Sequence, residues 1–114
     1  EGLGNQLMAP RLEKGVKCVY ITMDSRGCMA YFRKKGKVVE QMVPAVKVGP
    51  VIDTTGCGDS FAGGLGFGLL QNPKDYIQAA RFGNTLGALR TQGKTFAVFK
   101  SLEETNKIIS ETYF

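Results

Sequence analysis

Short apolar runs in the first half of the chain predict β-structure. The run Cys18–Thr22 is continuous, which is typical of a strand that is buried on both faces. Residues 29–33 and 38–43 are rich in β-forming side chains and flank a turn of lysine and glycine, so they predict a hairpin. Residues 46–52 contain Gly49-Pro50, and we expect an extended connection there.

Helical patterns dominate the second half of the chain. Residues 59–70 contain several glycines, each of which costs about 1 kcal/mol of helix propensity. We therefore expect a helix there whose backbone packs closely against a neighbour. Residues 75–91 predict a longer helix. Near the start of the chain, residues 7–14 predict a short helix that ends at Gly15, where a C-terminal glycine is usual.

A capping signal near the C-terminus predicts a last helix. Ser101 and Glu104 have the spacing of a capping box, and the apolar side of the helix would carry Leu102, Ile108 and Ile109. Together with the strand runs, these patterns predict a mixed α/β fold with helices concentrated toward the end of the chain.

The composition is that of an ordinary globular protein. The 114 residues are 43% hydrophobic and 22% charged, and no apolar run reaches the length of a membrane span. The chain begins at Glu1 without a signal peptide or an initiator methionine, so we expect a partial chain.

The net charge of +5 is modest. We interpret the basic run at residues 33–37 as a solvated hairpin turn, with a nucleic-acid or phosphate patch as the alternative.

The histidine and cysteine content further limits the kinds of catalytic and metal site that the chain can contain. The chain has no histidine, which excludes a histidine general base, Ser–His or Cys–His catalysis and a histidine metal site within it. Cys18, Cys28 and Cys57 are an odd number of cysteines with no CxxC pair. We interpret them as reduced thiols of a cytoplasmic protein.

The segment most informative about function is DTTGCGDSFAGG, residues 53–64. Gly56 and Gly58 bracket one small residue just before a predicted helix, which leaves backbone N–H groups free where the helix dipole favours an anion. Asp59 follows in the first helical turn, where a carboxylate would repel an anion but could accept a proton from a hydroxyl that attacks phosphorus. The alternative is an ordinary glycine turn with Asp59 as a helix-start charge.

The same segment resembles the C-terminal signature of the ribokinase-like (PfkB) family, in which the pattern D-T-x-G-x-G-D-x-F-x-G-G recurs. The resemblance extends over nearly the whole chain. It implies that Asp59 is the catalytic base, and that backbone amides of Gly56, Cys57, Gly58 and Asp59 form an anion hole.

The resemblance also implies a set of nucleotide-binding residues. Residues 22–27 stand where these kinases carry a T-x-G-x-x-G loop after a strand, and a family asparagine near the nucleotide has its counterpart in this chain. The implied nucleotide-binding residues are Thr22, Asp24, Arg26, Gly27 and Asn84. Asp24 departs from the family pattern, which has glycine there, and its charge near a triphosphate would be unfavourable.

The implied cofactors are ATP and Mg²⁺, the latter bound mainly through ATP and not through direct protein ligands. Asp53 and Thr55 match positions that hold a monovalent cation in some members, which leaves K⁺ as a further cofactor to test.

The resemblance implies a three-layer α/β ribokinase-like fold, of which residues 1–114 would be the C-terminal, ATP-binding portion without the acceptor-substrate part and its lid. A cytoplasmic kinase that phosphorylates a hydroxyl of a small sugar is expected of the whole protein, and this chain is expected to be inactive alone. A nucleoside kinase and a non-catalytic nucleotide-binding relative are the alternatives. Neither nucleic acid nor membrane is an expected partner, and a homodimer of the full-length protein is left open.

Overall fold

The computed structural model describes residues 15–114, which form a three-stranded sheet followed by three helices. The elements in chain order are strand β1 (Cys18–Thr22), a 3₁₀ turn (Asp24–Arg26), strands β2 (Gly27–Lys34) and β3 (Lys37–Pro44), helices α1 (Cys57–Gln71) and α2 (Tyr76–Arg90), a second 3₁₀ turn (Phe96–Val98) and helix α3 (Leu102–Tyr113). The helix expected at residues 7–14 lies outside the described residues. The chain divides after Pro44 into two compact units, a β-unit and a helical unit, and each is described by itself.

The β-unit is an antiparallel sheet in which β2 pairs with both other strands. β2 and β3 form the predicted hairpin, with Lys34 opposite Lys37. The two residues between them, Lys35 and Gly36, have φ angles of 53° and 79°. Two left-handed residues in a two-residue loop match the right-handed twist of the flanking strands, which is why lysine followed by glycine closes the hairpin well. The basic run at residues 33–37 is exposed at this turn, as expected.

Strand β1 has the predicted bounds but not the predicted burial. Among the described residues it pairs only with β2 and lies at an edge of the sheet. Its burial pattern runs from half-buried to exposed, and Ile21 is 38% exposed. The central position belongs to β2, whose Cys28 and Ala30 are fully buried. The expectation of burial on both faces was wrong because an apolar run does not by itself distinguish a central strand from an edge strand.

Helices α1 and α2 pack closely through two glycines of α1. A Cβ atom on Gly64 would lie 2.5 Å from the carbonyl oxygen of Phe82, and one on Gly68 would lie 2.6 Å from the Cα of Ala79. The two glycines are four residues apart, so they lie on one face of the helix. By contrast, a Cβ on Gly63 would meet nothing within 4 Å. The expected close packing is therefore confirmed, but only some of the glycines take part in it.

Side chains cap the N-termini of α2 and α3. Asp75 caps α2 by accepting a hydrogen bond from the Gln78 N–H at 3.0 Å. Ser101 caps α3 by accepting from the Glu104 N–H at 3.1 Å, as its capping-box spacing predicts. Residues 45–56 contain no helix or strand, which agrees with the extended connection expected there.

The apolar side of α3 is only partly buried. Ile109 is 2% exposed and Ile108 is half-buried, whereas Leu102 is 47% exposed. Leu102 is therefore the exposed member of this apolar side. The side-chain hydrogen bond between α3 and α2 uses Tyr113, at the opposite end of α3 from Leu102. Within residues 15–114, none of the helices combines the length and the hydropathy of a membrane span.

Candidate functional site

The turn that leads into α1 is built from residues 53–57. The Oδ1 atom of Asp53 accepts a hydrogen bond from the Thr55 N–H at 2.8 Å, and the Cys57 N–H donates to the Thr54 carbonyl at 3.2 Å. Gly56 is the N-cap residue, with φ 80° and ψ 6°. This left-handed conformation favours glycine because a Cβ atom would be strained there.

The first turn of α1 leaves two backbone donors free. No side chain caps this helix, and the Cys57 amide is already used by Thr54. Within residues 15–114, the N–H groups of Gly58 and Asp59 meet no hydrogen-bond acceptor. They point out of the N-terminus of a helix of 15 residues, where the macrodipole adds a partial positive charge. The Gly56 N–H likewise meets no acceptor within residues 15–114, so of the expected anion hole only the Cys57 amide is already engaged.

Gly58 and Gly56 differ in conformation and surroundings. Gly58 does not have a positive φ, and a Cβ atom there would meet nothing within 4 Å. Neither packing nor backbone strain therefore requires glycine at this position. Because Cβ atoms of a helix lean toward its N-terminus, a side chain on Gly58 would project toward the space in front of the free amides.

Asp59 lies in the first turn of α1, as the sequence predicted. Its side chain is exposed, and no hydrogen bond to it is found among the residues that the structure describes. A carboxylate beside free helix amides can face a second molecule that approaches an anion held by those amides. The arrangement has the components of a phosphoryl-transfer site: donors for an anion and an accessible proton acceptor.

A buried arginine lies on the inner side of the same turn. Arg90, at the end of α2, is 5% exposed and donates from Nη1 to the Gly93 carbonyl at 2.9 Å. Its guanidinium carbon is 5.2 Å from the ring centroid of Phe96. A Cβ atom on Gly56 would lie 3.3 Å from the Arg90 Nε, so this nitrogen lies directly against the turn. The sequence analysis did not identify Arg90, and its position in the last turn of a helix is an unspecific signal.

The charge of Arg90 acts on Asp53. The pKa of the Asp53 carboxyl is lowered, first by its hydrogen bonds with Thr55 and then by the nearby positive charges of Arg90 and Lys94. The pKa of the neighbouring Cys57 thiol is raised by burial, although the charge of Arg90 opposes the shift. A raised thiol pKa does not fit an activated nucleophile and supports a passive role for Cys57.

The candidate Asn84 is engaged within the helical unit. It is 8% exposed, and its Nδ2 donates to the Tyr113 hydroxyl at 3.1 Å. This bond ties α2 to α3. A contact between Asn84 and a nucleotide therefore stays a prediction.

The remaining candidates form a tight loop in the β-unit. The Met23 N–H donates to the Gly27 carbonyl at 2.8 Å, and the Arg26 N–H donates to the Met23 carbonyl at 3.1 Å. Thr22 ends β1, and Asp24 opens the 3₁₀ turn. Because 3₁₀ residues have negative φ angles, the departure from glycine at Asp24 does not strain the backbone. Gly27 has the left-handed φ of 105°.

Residues 15–114 contain no group of three or more histidine, cysteine, aspartate or glutamate side chains that could hold a metal ion. ATP fits the chain's own residues in one respect, since the free amides of Gly58 and Asp59 face open space at a helix N-terminus.

Sequence relatives of the chain are sugar kinases. One is 2-dehydro-3-deoxygluconokinase from Bacillus subtilis, which is 38% identical over 81 residues. The match covers 71% of this chain and 24% of that enzyme. The chain thus spans about a quarter of the length of the curated relatives it matches.

Solved structures with the same fold include nucleoside kinases, fructokinases and ribokinases. A nucleoside kinase from Methanocaldococcus jannaschii, described as an archaeal member of that family, matches with a TM-score of 0.78 at 23% identity over 91% of this chain and 33% of its own. A fructokinase double mutant from Vibrio cholerae O395, solved with fructose, ADP and a potassium ion, matches with a TM-score of 0.71 at 26% identity over 93% of this chain and 34% of its own. The predicted fold class is confirmed. The profile of the pfkB family carbohydrate kinases matches residues 5–98, and the chain therefore belongs to that family.

Proposed function

We propose that the protein containing this chain transfers a phosphoryl group from ATP to a hydroxyl of a small sugar, with Asp59 as the general base. The observation that carries the proposal is the position of Asp59. It lies in the first turn of α1, exposed, next to backbone donors that have no other acceptor among residues 15–114.

The amides of Gly58 and Asp59 would bind an anionic phosphate oxygen. They combine free N–H donors with the positive end of α1, which is the usual arrangement for anions at helix N-termini. Because the donors belong to the backbone, they are held in place before the ligand arrives. Donors that need no reorganisation stabilise developing charge well in a transition state.

Asp59 would act on the acceptor hydroxyl. As the hydroxyl oxygen forms its bond to phosphorus, its proton passes to the Asp59 carboxylate, and the bond to the leaving phosphate oxygen breaks. ATP supplies the phosphoryl group, and we propose that Mg²⁺ enters with it to balance the phosphate charge. The chain would contribute the base and the amides, while the remaining length of the protein would contribute the pocket for the acceptor.

Nucleotide contacts are proposed for the loop of residues 22–27 and for Asn84. Exposed Arg26 offers a positive charge for phosphate. Asn84 would have to contact the nucleotide while keeping, or exchanging, its bond to Tyr113.

A sugar acceptor is favoured over a nucleoside because a relative that is 38% identical acts, by its name, on a sugar acid. The nucleoside kinases of solved structure are less similar to the chain, at 23% and 29% identity. Phosphorylation of a panel of sugars, sugar acids and nucleosides by the full-length protein separates the two acceptor classes. Absence of both turnover and ATP binding would favour the non-catalytic alternative.

The test of the mechanism is Asp59→Asn in the full-length protein. The amide keeps the shape of the side chain but accepts no proton, so we expect turnover to fall by about 10²–10⁴-fold. ATP binding should persist or tighten slightly because a negative charge near the phosphates is removed. Turnover, ATP affinity and melting temperature are measured on the same preparation.

Asp75→Asn is the matched control. Asp75 also stands at a helix start, but it caps α2 through the Gln78 N–H. Asparagine caps helices nearly as well as aspartate, so this variant should keep both stability and turnover. An Asp59→Asn enzyme with normal turnover per folded molecule would refute the role of Asp59 as base.

A further inference from the structure

Arg90 places a positive charge close to the turn whose residues, by the family resemblance, would hold a monovalent cation. The resemblance assigns such a cation to Asp53 and Thr55, and a solved relative contains a potassium ion. In this chain the Arg90 guanidinium is buried against the Gly56 turn, and its charge acts on Asp53.

Arg90 also hydrogen-bonds a carbonyl oxygen that a monovalent cation near this turn could otherwise use. Potassium is held in proteins mainly by carbonyl oxygens that replace its water shell. The Gly93 carbonyl accepts the Arg90 Nη1–H at 2.9 Å. The oxygen of Asp53 that faces the turn accepts the Thr55 N–H at 2.8 Å. Both oxygens are therefore already engaged by donors of the chain.

The local electrostatic balance disfavours an added cation as well. Among the described residues, the buried Nε of Arg90 has no hydrogen-bond partner. A buried, unpaired donor of a charged group favours an acceptor or an anion nearby, because its desolvation is uncompensated. A potassium ion placed next to the buried guanidinium would add a second positive charge beside it, and the two like charges would repel each other. The residues present do not fit the ion.

We propose that the Arg90 guanidinium replaces the monovalent cation beside Asp53, so that the protein neither binds nor requires potassium. Arg90 is then a positioning residue. It balances the charge of Asp53 from beneath the turn and holds Gly56 so that the amides of Gly58 and Asp59 face outward. Its effect on turnover rests on the proposed kinase function, whereas the absence of an ion site does not.

The experiment compares potassium chloride with tetramethylammonium chloride at equal ionic strength, using the full-length protein. The melting temperature of the unmodified protein should be the same in both salts. Arg90→Met removes the charge but keeps an apolar stem, which frees the Gly93 carbonyl and leaves Asp53 without this counter-charge. Potassium should then raise the melting temperature of the variant by about 2–4 °C when it exceeds its dissociation constant about tenfold.

Arg90→Lys is the conservative comparison. It keeps the positive charge, so its melting temperature and turnover should stay insensitive to potassium, whereas turnover of Arg90→Met should rise with potassium. A saturable stabilisation of the unmodified protein by potassium would overturn the proposal, and this result does not depend on the variants folding. A protein that lacks kinase activity but is insensitive to potassium would refute the proposed function and leave this inference standing.

Discussion

At the residue scale, the two glycines before Asp59 have different structural roles. Gly56 has a left-handed backbone, and a side chain there would also meet the Arg90 Nε at 3.3 Å. Gly58 has neither constraint, and its missing side chain leaves space in front of free amides. The first glycine therefore shapes the turn, while the second keeps the proposed ligand space open.

Because of these different roles, we expect substitution of Gly56 to affect stability and substitution of Gly58 to affect anion binding. Gly56→Ala should lower stability by about 1–2 kcal/mol, since non-glycine residues are strained in this region. Gly58→Val should leave the melting temperature nearly unchanged but weaken ATP or phosphate binding at least tenfold, because its side chain enters the space before the amides. Thermal melting and equilibrium binding of both variants check this. Undiminished anion binding by Gly58→Val would place the anion elsewhere.

A second prediction at the residue scale concerns the stability of the protein in alkaline solution, to which the Cys28 thiol contributes. Burial, and to a lesser degree the nearby Cys18, raises the pKa of the Cys28 thiol to about 11. The unfolded chain loses this proton near its ordinary pKa of 9.0, so the contribution of Cys28 to stability is complete below pH 9 and lost as the pH rises toward 11. Cys28→Ala should therefore show a smaller fall in melting temperature between pH 9 and 11 than the unmodified protein. An equal fall in the melting temperatures of the two proteins would contradict a raised pKa of the Cys28 thiol as the cause.

At the element scale, the close approach of α1 and α2 depends on which side of α1 each glycine occupies. Gly64 is buried against the backbone of Phe82, whereas its neighbour Gly63 is exposed. The backbone of a packed helix cannot retreat as a flexible side chain can, so an added methyl group has to force the helices apart.

Gly64→Ala should therefore destabilise the protein by about 1–3 kcal/mol, the usual cost of overpacking. Gly63→Ala is its matched control, because the substitution is the same and the site is one residue away. Replacing an exposed helical glycine by alanine should be neutral or stabilise by up to about 1 kcal/mol. Denaturant unfolding of the two variants measures the difference. Equal losses of stability would show that propensity, and not helix packing, determines the effect.

At the scale of the whole molecule, the chain carries the candidate residues in two separate units. The loop of residues 22–27 belongs to the β-unit, while the Gly56 turn and Asp59 belong to the helical unit. Phosphoryl transfer also needs the acceptor held in line and protected from water. The chain spans about a quarter of its curated relatives, so we propose that the acceptor pocket comes from the rest of the protein.

The corresponding prediction concerns the chain in isolation. Residues 1–114 alone should not raise ATP-dependent phosphorylation of any sugar above background, while the full-length protein should. Radiolabelled phosphate transfer to the same acceptor panel, at equal molar concentrations, checks this. Turnover by the isolated chain at the rate of the full-length protein would show that the chain holds both substrates by itself.

Much of the local structure could be predicted from the sequence because it depends on neighbouring residues. Lysine followed by glycine closes the hairpin, Ser101 caps α3, and the glycine turn leads into a helix with Asp59 in its first turn. In each case the backbone angles and hydrogen bonds involve residues within a few positions of one another. The motif around Asp59 was likewise enough to indicate the family.

The tertiary structure alone decided which distant residues meet. Helical periodicity shows that a residue shares a face with others but not what that face contacts, so it identified neither the packed Gly64 nor the buried position of Arg90 beneath the Gly56 turn. The bond from Asn84 to Tyr113 and the edge position of β1 were missed for the same reason. Contacts between residues far apart in the chain follow from how whole elements pack, and the sequence by itself determined only the elements and their exposed chemistry.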